Sequence, residues 1–277
     1  MKSLEDHILL YDEDCPMCRM YSHSFVKTNM LEKNGIAAYD KMNDELKTIV
    51  DVDRARNEIA LVNSKLGTVT YGIDSWLKIF TNRFQWSATI FKFPPVYWLL
   101  KQLYLFISYN RKVIAPGKEF FKAGSCYPDY NVRWRWIYIL ATSLFVAFIL
   151  NQYFNGIAIY RNAKIPFGAE WLIAIGQLAF QSVFVFFSRK DRILHYFGHV
   201  MTISMIGVLL LIPIILLMKI LPSLPEIFYV SYFAIPVCIM LWQHIRRVKI
   251  LELPFYLTIT WILYRVFLLI GFITFIK

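Results

Sequence analysis

Two cysteines three positions apart, in Tyr11-Asp12-Glu13-Asp14-Cys15-Pro16-Met17-Cys18, are the residues of this chain best suited to chemistry. A thiol becomes a nucleophile when it ionises, and a second thiol at this spacing can displace the first from a mixed disulfide. The apolar run Ile8-Leu9-Leu10 precedes the pair and a helical pattern follows it. At the start of that helix, free backbone N–H groups and the positive end of the dipole favour a thiolate on Cys15. Pro16 suits the first turn, where its missing N–H is no loss. On the redox reading Cys15 attacks and Cys18 resolves. Two other readings stand beside it: half of a zinc site, which needs two more ligands, and a pair of inert buried thiols. His23 lies on the same expected helix, Cys126 is remote in sequence, and no second Cys-x-x-Cys occurs, so no metal and no cofactor is expected.

The neighbours of the pair pull in opposite directions. Carboxylates at Asp12, Glu13 and Asp14 raise the pKa of a nearby thiol and oppose the helix dipole. Arg19 and His23 are the available positive counterweights. Asp12 has two equal readings, as a proton acceptor for Cys18 or as a cap on the turn.

Further candidates lie far downstream. Arg265 stands at the middle of an apolar stretch, where a buried arginine costs about 2.5–3.5 kcal/mol on insertion scales. No Asp or Glu lies inside the apolar stretches themselves, but Gln177 and Gln181 are four apart on one helix face and can accept its hydrogen bonds. An anionic lipid or substrate group is the functional alternative. His195 and His199 share a helix face at a metal-compatible spacing but have no third ligand, so they read as loop-edge residues. Cys126 reads as a linker thiol, or as a relay of a disulfide toward the membrane. Cys238 reads as a small packing residue.

The elements that must position these residues fall into two halves. Residues 6–11 read as a strand, 16–31 as a helix closed by Asn34-Gly35, 36–39 as a strand and 44–50 as a short helix. Residues 56–63 and 69–71 read as a hairpin about Leu66-Gly67-Thr68, and Ile73–Phe80 opens another helix. Residues 84–110 are aromatic and apolar but broken by Lys92, Pro94-Pro95 and Lys101. They are expected to lie on a membrane or on the soluble domain rather than to span. Five apolar stretches follow, at about 136–154, 171–187, 199–218, 227–242 and 255–276. Each is near the roughly 20 residues that cross a bilayer. The expected fold is an α/β thioredoxin-like domain at residues 1–112, a linker at 113–133 and an all-α membrane domain of about five transmembrane helices at 134–277.

Charge follows the same division. Residues 1–132 hold 17 basic and 15 acidic residues, and the remainder holds 13 and 4. In the second half the basic residues cluster at the ends of apolar stretches: Arg133 and Arg135, then Arg189, Lys190 and Arg192, then Arg246, Arg247 and Lys249. The positive-inside rule explains that pattern and no nucleic-acid partner is needed. It places the amino-terminal domain in the cytoplasm, the chain as a multi-pass protein of the inner (cytoplasmic) membrane, and the carboxy terminus on the opposite side. Residues 1–10, with Glu5, Asp6 and His7, do not read as a signal peptide. The expected partners are membrane lipids and a protein dithiol or disulfide, or a larger membrane complex.

The segment around the cysteines resembles the DCC thiol-disulfide oxidoreductase family. The resemblance rests on Tyr11-Asp12-x-x-Cys15-x-x-Cys18 after a strand, on the Gly-containing helix start Tyr71-Gly72-Ile73-Asp74-Ser75, and on an aromatic helix closing at Asn110-Arg111. It covers about 110 residues and implies a thioredoxin-like fold and dithiol–disulfide activity. In the thioredoxin pattern the first cysteine is the exposed one. Glu13 stands where the family usually has Gly. The alternative is a docking module serving a larger membrane assembly without catalysis.

Overall fold

A computed structural model describes residues 3–117, 129–157, 168–221 and 225–276. The chain divides into two compact units, Met1–Arg135 and Trp136–Lys277.

The first unit is built on a four-stranded mixed sheet: β1 (His7–Tyr11), β2 (Ile36–Ala38), β3 (Ala60–Asn63) and β4 (Thr68–Tyr71). The spatial order is β2-β1-β3-β4, with β1 parallel to β2 and antiparallel to β3, and with β3 and β4 forming a hairpin. The helix α1 (Pro16–Lys27) makes the crossover between the parallel strands. Successive side chains of a strand point to opposite faces, so β1 and β3 serve two cores. Leu10, Ala60 and Val62 pack with Met42, Leu46, Val50 and Ala55 on one face. Leu9 and Leu61 pack with Phe25, Leu31 and Ile79 on the other. The helices α2 (Asp44–Ile49) and α3 (Val52–Asn57) cover the first face, and α4 (Ile73–Arg83) the second.

Several element boundaries differ from those expected. The first helix stops at Lys27, because Asn29 takes a left-handed conformation (φ 55°) that ends the turn before the Asn34-Gly35 signal is reached. Gly35 instead allows close approach: a Cβ there would lie 3.1 Å from the carbonyl oxygens of Glu32 and His7. Residues 56 and 57 belong to α3 and not to a strand, since the Asp51 side chain accepts the Arg54 N–H and starts a helix that runs to Asn57. The aromatic segment becomes two helices, α5 (Ser87–Lys92) and α6 (Pro94–Ile114), divided where Pro94 starts the second. Helix α6 extends past residue 112, so the first residues of the expected linker are helical, and Val113 is buried.

The second unit is helical: α7 (Val132–Asn155), which begins in the first unit, then α8 (Ala169–Arg189), α9 (Ile193–Ile220), α10 (Glu226–Tyr232), α11 (Ala234–Ile250) and α12 (Tyr256–Ile276). Three helical stretches among the described residues are long and apolar enough to cross a membrane: Val132–Asn155, Ala169–Ile220 and Glu226–Ile250. A shorter apolar helix covers Tyr256–Gly271. The difference from the five expected stretches arises because α8 and α9 join through a 3-10 turn, Lys190–Arg192, into one stretch, and because the last apolar stretch, Tyr256–Gly271, counts as a shorter helix.

Small residues and polar contacts set the helix spacing in this unit, as in bundles that lack a hydrophobic driving force between helices. Gly176 on α8 lies beneath the Tyr264 hydroxyl of α12, which donates to the Ile173 carbonyl at 2.9 Å. Gly207 on α9 lies against Met240 of α11. The Tyr153 hydroxyl donates to the Tyr229 carbonyl at 2.6 Å and ties α7 to α10.

Candidate redox site

Strand β1 ends at Tyr11, and the chain turns through Asp12–Asp14 into α1. Asp12 closes the turn twice: its carbonyl accepts the Cys15 N–H at 3.3 Å and its Oδ1 accepts the Asp14 N–H at 3.1 Å. Cys15 is the N-cap of α1 and Pro16 opens the first turn. The Cys15 Sγ accepts the Cys18 N–H at 3.5 Å, so sulfur takes the place usually filled by a capping oxygen. Both cysteines are free thiols. They pack with Tyr11, Met17, Tyr21 and Ile36.

A second element completes the site from the far end of the unit. Helix α6 turns Tyr104, Ser108 and Arg111, four and three residues apart, along one face. The Tyr104 hydroxyl accepts the Ile59 N–H at 2.9 Å, and the Ser108 hydroxyl donates to the Asn57 carbonyl at 2.6 Å. Arg111 donates to the Arg56 carbonyl at 2.8 Å. These three side chains satisfy backbone groups at the end of α3 and in the link from it to β3. Arg111 then stands 3.8 Å from Asp12 Oδ2, and Lys112 is 2.8 Å from the same oxygen. All three charged groups are buried. Cys18, Asp12 and Arg111 line one small cleft together with Tyr39, Ala55 and Ile59.

This arrangement separates the two thiols chemically. The Cys15 pKa falls from 9.0 to about 7. The hydrogen bond from the Cys18 thiol is the main cause; burial opposes it, and the Cys18 N–H and the Arg111 charge assist. The Cys18 pKa is pushed well up, first by the same hydrogen bond and then by burial. Asp12 raises the Cys15 value, but it is the smallest of the named influences.

Residues 9–115 match a family model described as DCC1-like thiol-disulfide oxidoreductase. The chain therefore carries a DCC1-like domain. No curated protein and no solved structure matches it. The DCC1-like segment ends at Ala115, one residue past α6, so Arg111 and Lys112 belong to it. The apolar helices lie outside it. A redox domain and candidate membrane-spanning helices thus share one chain.

Several expectations about the site change with the geometry. Cys15 is not the exposed thiol: its exposure is 0% and that of Cys18 is 2%. The positive counterweight is Arg111 and not Arg19, which is exposed, or His23, whose ring meets Tyr11 edge-on at 5.8 Å. Asp12 does raise the Cys15 pKa, as expected of a nearby carboxylate, but the Cys18 hydrogen bond lowers it by more. Among the described residues no group of three or more His, Cys, Asp or Glu gathers to hold a metal. The signal that sequence reasoning missed is the polar face Tyr104–Ser108–Arg111 on an otherwise apolar helix. Gly72 behaves as the sequence suggests: it takes φ 64° at the start of α4, and a Cβ there would lie 2.8 Å from Glu58 Oε2.

Among the membrane candidates, Arg265 lies over the Trp261 ring, 3.9 Å from its centre. Gln181 accepts the Thr260 hydroxyl at 3.1 Å. Gln177 is buried on the same face of α8. His195 and His199 are buried in α9 and not at a loop edge; His199 Nδ1 is 2.8 Å from an Arg247 nitrogen, which makes it an acceptor. Glu170 is also buried, at the start of α8 and within 3.3 Å of Asn151. Cys238 is exposed on α11, and Cys126 lies outside the described residues.

Proposed function

We propose that the chain is a membrane-anchored thiol–disulfide oxidoreductase whose thioredoxin-like DCC1-like domain works through Cys15 and Cys18. The observation that carries this reading is the asymmetry of the pair: Cys15 caps α1 with a pKa near 7, and Cys18 behind it is held protonated. Cys15 thiolate attacks a substrate disulfide, forming one S–S bond and releasing one substrate thiolate. Cys18 loses its proton and attacks the Cys15 sulfur, forming the Cys15–Cys18 disulfide and releasing the second substrate thiolate. Two electrons pass from the pair to the substrate, and a dithiol reductant restores it. Asp12 lines the same cleft as Cys18 and suits the role of acceptor for that proton, in addition to its role in the turn.

The membrane part extends the proposal. Arg189 leaves helical geometry (φ −150°, ψ 80°), which divides Ala169–Ile220 into two rods. At about 1.5 Å per residue the undivided stretch would be roughly 78 Å long, far more than the ~30 Å bilayer core. Counting α8 and α9 separately and including α12 gives five spans, with the dithiol on the cytoplasmic side by the positive-inside rule. Reduced thiols are the resting state there, which fits a reductase or redox sensor.

Burial of both thiols favours a second reading, a docking module for a larger membrane assembly. Substrate trapping separates the two. Full-length Cys18→Ser should accumulate mixed disulfides resolved by dithiothreitol, and Cys15→Ser should not. Equal trapping by both variants, or by neither, would sink the catalytic reading.

A further inference from the structure

Helix α6 is inverted relative to an ordinary surface helix. Its inward side carries the polar groups Tyr97, Tyr104, Ser108 and Arg111, bonded respectively to Asp74, Ile59, Asn57 and Arg56. Its outward side carries Trp98, Leu99 and Leu103, and Trp98 is 62% exposed. The neighbouring α5 adds Ile90, with Trp86 before it at 70% exposure and Phe93 after it. The two helices pack on each other, so their exposed apolar residues lie on adjoining elements. Soluble domains seldom show a contiguous apolar patch of this kind without a partner.

We propose that the outward face of α5 and α6 lies in the headgroup region of an anionic lipid bilayer, as an interfacial anchor of the redox domain. Three observations select lipid. Tryptophan at the rim of an apolar face is the side chain that favours the membrane interface. Residues 84–107 contain Lys92 and Lys101, both exposed, and no acidic residue, so their charge complements anionic headgroups. The first helix able to cross a membrane begins at Val132, eighteen residues after α6 ends, so the chain itself keeps the patch near a bilayer. The same helix holds Arg111 on its inward side, so docking would fix the dithiol relative to the membrane surface. The inference concerns lipid contact and stands whether or not the dithiol is catalytic.

Photolabelling tests it on the full chain, reconstituted in phosphatidylcholine vesicles with and without phosphatidylglycerol. A trace of phosphatidylcholine with a diazirine in its acyl chain supplies the label. Adducts mapped by mass spectrometry should appear on residues 84–107 and increase with phosphatidylglycerol, while residues 44–57 stay unlabelled. A Leu99→Glu, Leu103→Glu double variant should lose most of the adducts on 84–107 and keep those on the spanning helices. Both positions are exposed, and an unchanged pH profile of Cys15 alkylation reports that the domain remains folded. Labelling of 84–107 no greater than that of 44–57 would overturn the proposal. So would lysine cross-links from Lys92 or Lys101 to the second unit or to another copy, which would give the patch a protein occupant.

Discussion

The ionisation of Cys15 is governed mainly by its own helix turn, through Cys18, and only secondarily by charge brought from α6. That order makes a graded prediction. With a pKa lowered from 9.0 to about 7, the thiolate fraction falls as pH drops through 7 and is nearly complete at pH 9. Iodoacetamide alkylation of Cys15, followed by mass spectrometry from pH 5 to 10, should show a midpoint near 7. Cys18→Ala removes the largest lowering influence and should move the midpoint up toward 9. Arg111→Gln removes a smaller one and should move it up by less, and Arg111→Lys should restore part of the difference. A midpoint that stays at 7 in Cys18→Ala would contradict the assigned cause.

At the scale of elements, α6 acts as a clamp on the link before β3. Replacing Tyr104 by Phe leaves the Ile59 N–H without its acceptor, and an unmet buried donor costs about 1–3 kcal/mol. Gly72→Ala forces a side chain into a conformation suited to glycine and against Glu58, for about 1–3 kcal/mol. Each variant should lower the thermal midpoint of the full chain in detergent. Thr89→Ala, at an exposed position on α5, should change stability by less than about 0.5 kcal/mol. If Tyr104→Phe matched Thr89→Ala, the clamp would be of no energetic consequence.

For the whole molecule, the distribution of basic residues and the break at Arg189 make a topological prediction. A reporter active only after export should be active when fused at Lys277 and inactive when fused at Met1. An inactive fusion at Lys277 would remove one span from the proposed five, or invert the chain.

Much of this protein follows from its sequence alone. Alternation and turn residues give the order of strands in the first unit, and Cys15, Pro16 and Cys18 carry their own helix start, because these signals are local. The division of charge and hydropathy separates a domain with mixed charge from apolar helices. The match to a DCC1-like domain was legible in Tyr11–Cys18, Tyr71–Ser75 and Asn110-Arg111. The short helix at 52–57 and the early end of α1 were not, because one capping side chain and one left-handed residue outweighed the apolar pattern. Tertiary structure alone decided that Cys15 is buried, that Asp12 is paired with Lys112 and Arg111, and that the Arg111 charge acts on the thiols. The physical reason is distance along the chain. Asp12 and Arg111 are 99 positions apart, and no local rule of period or propensity reports that a helix clamped to residues 56–59 will bring them together.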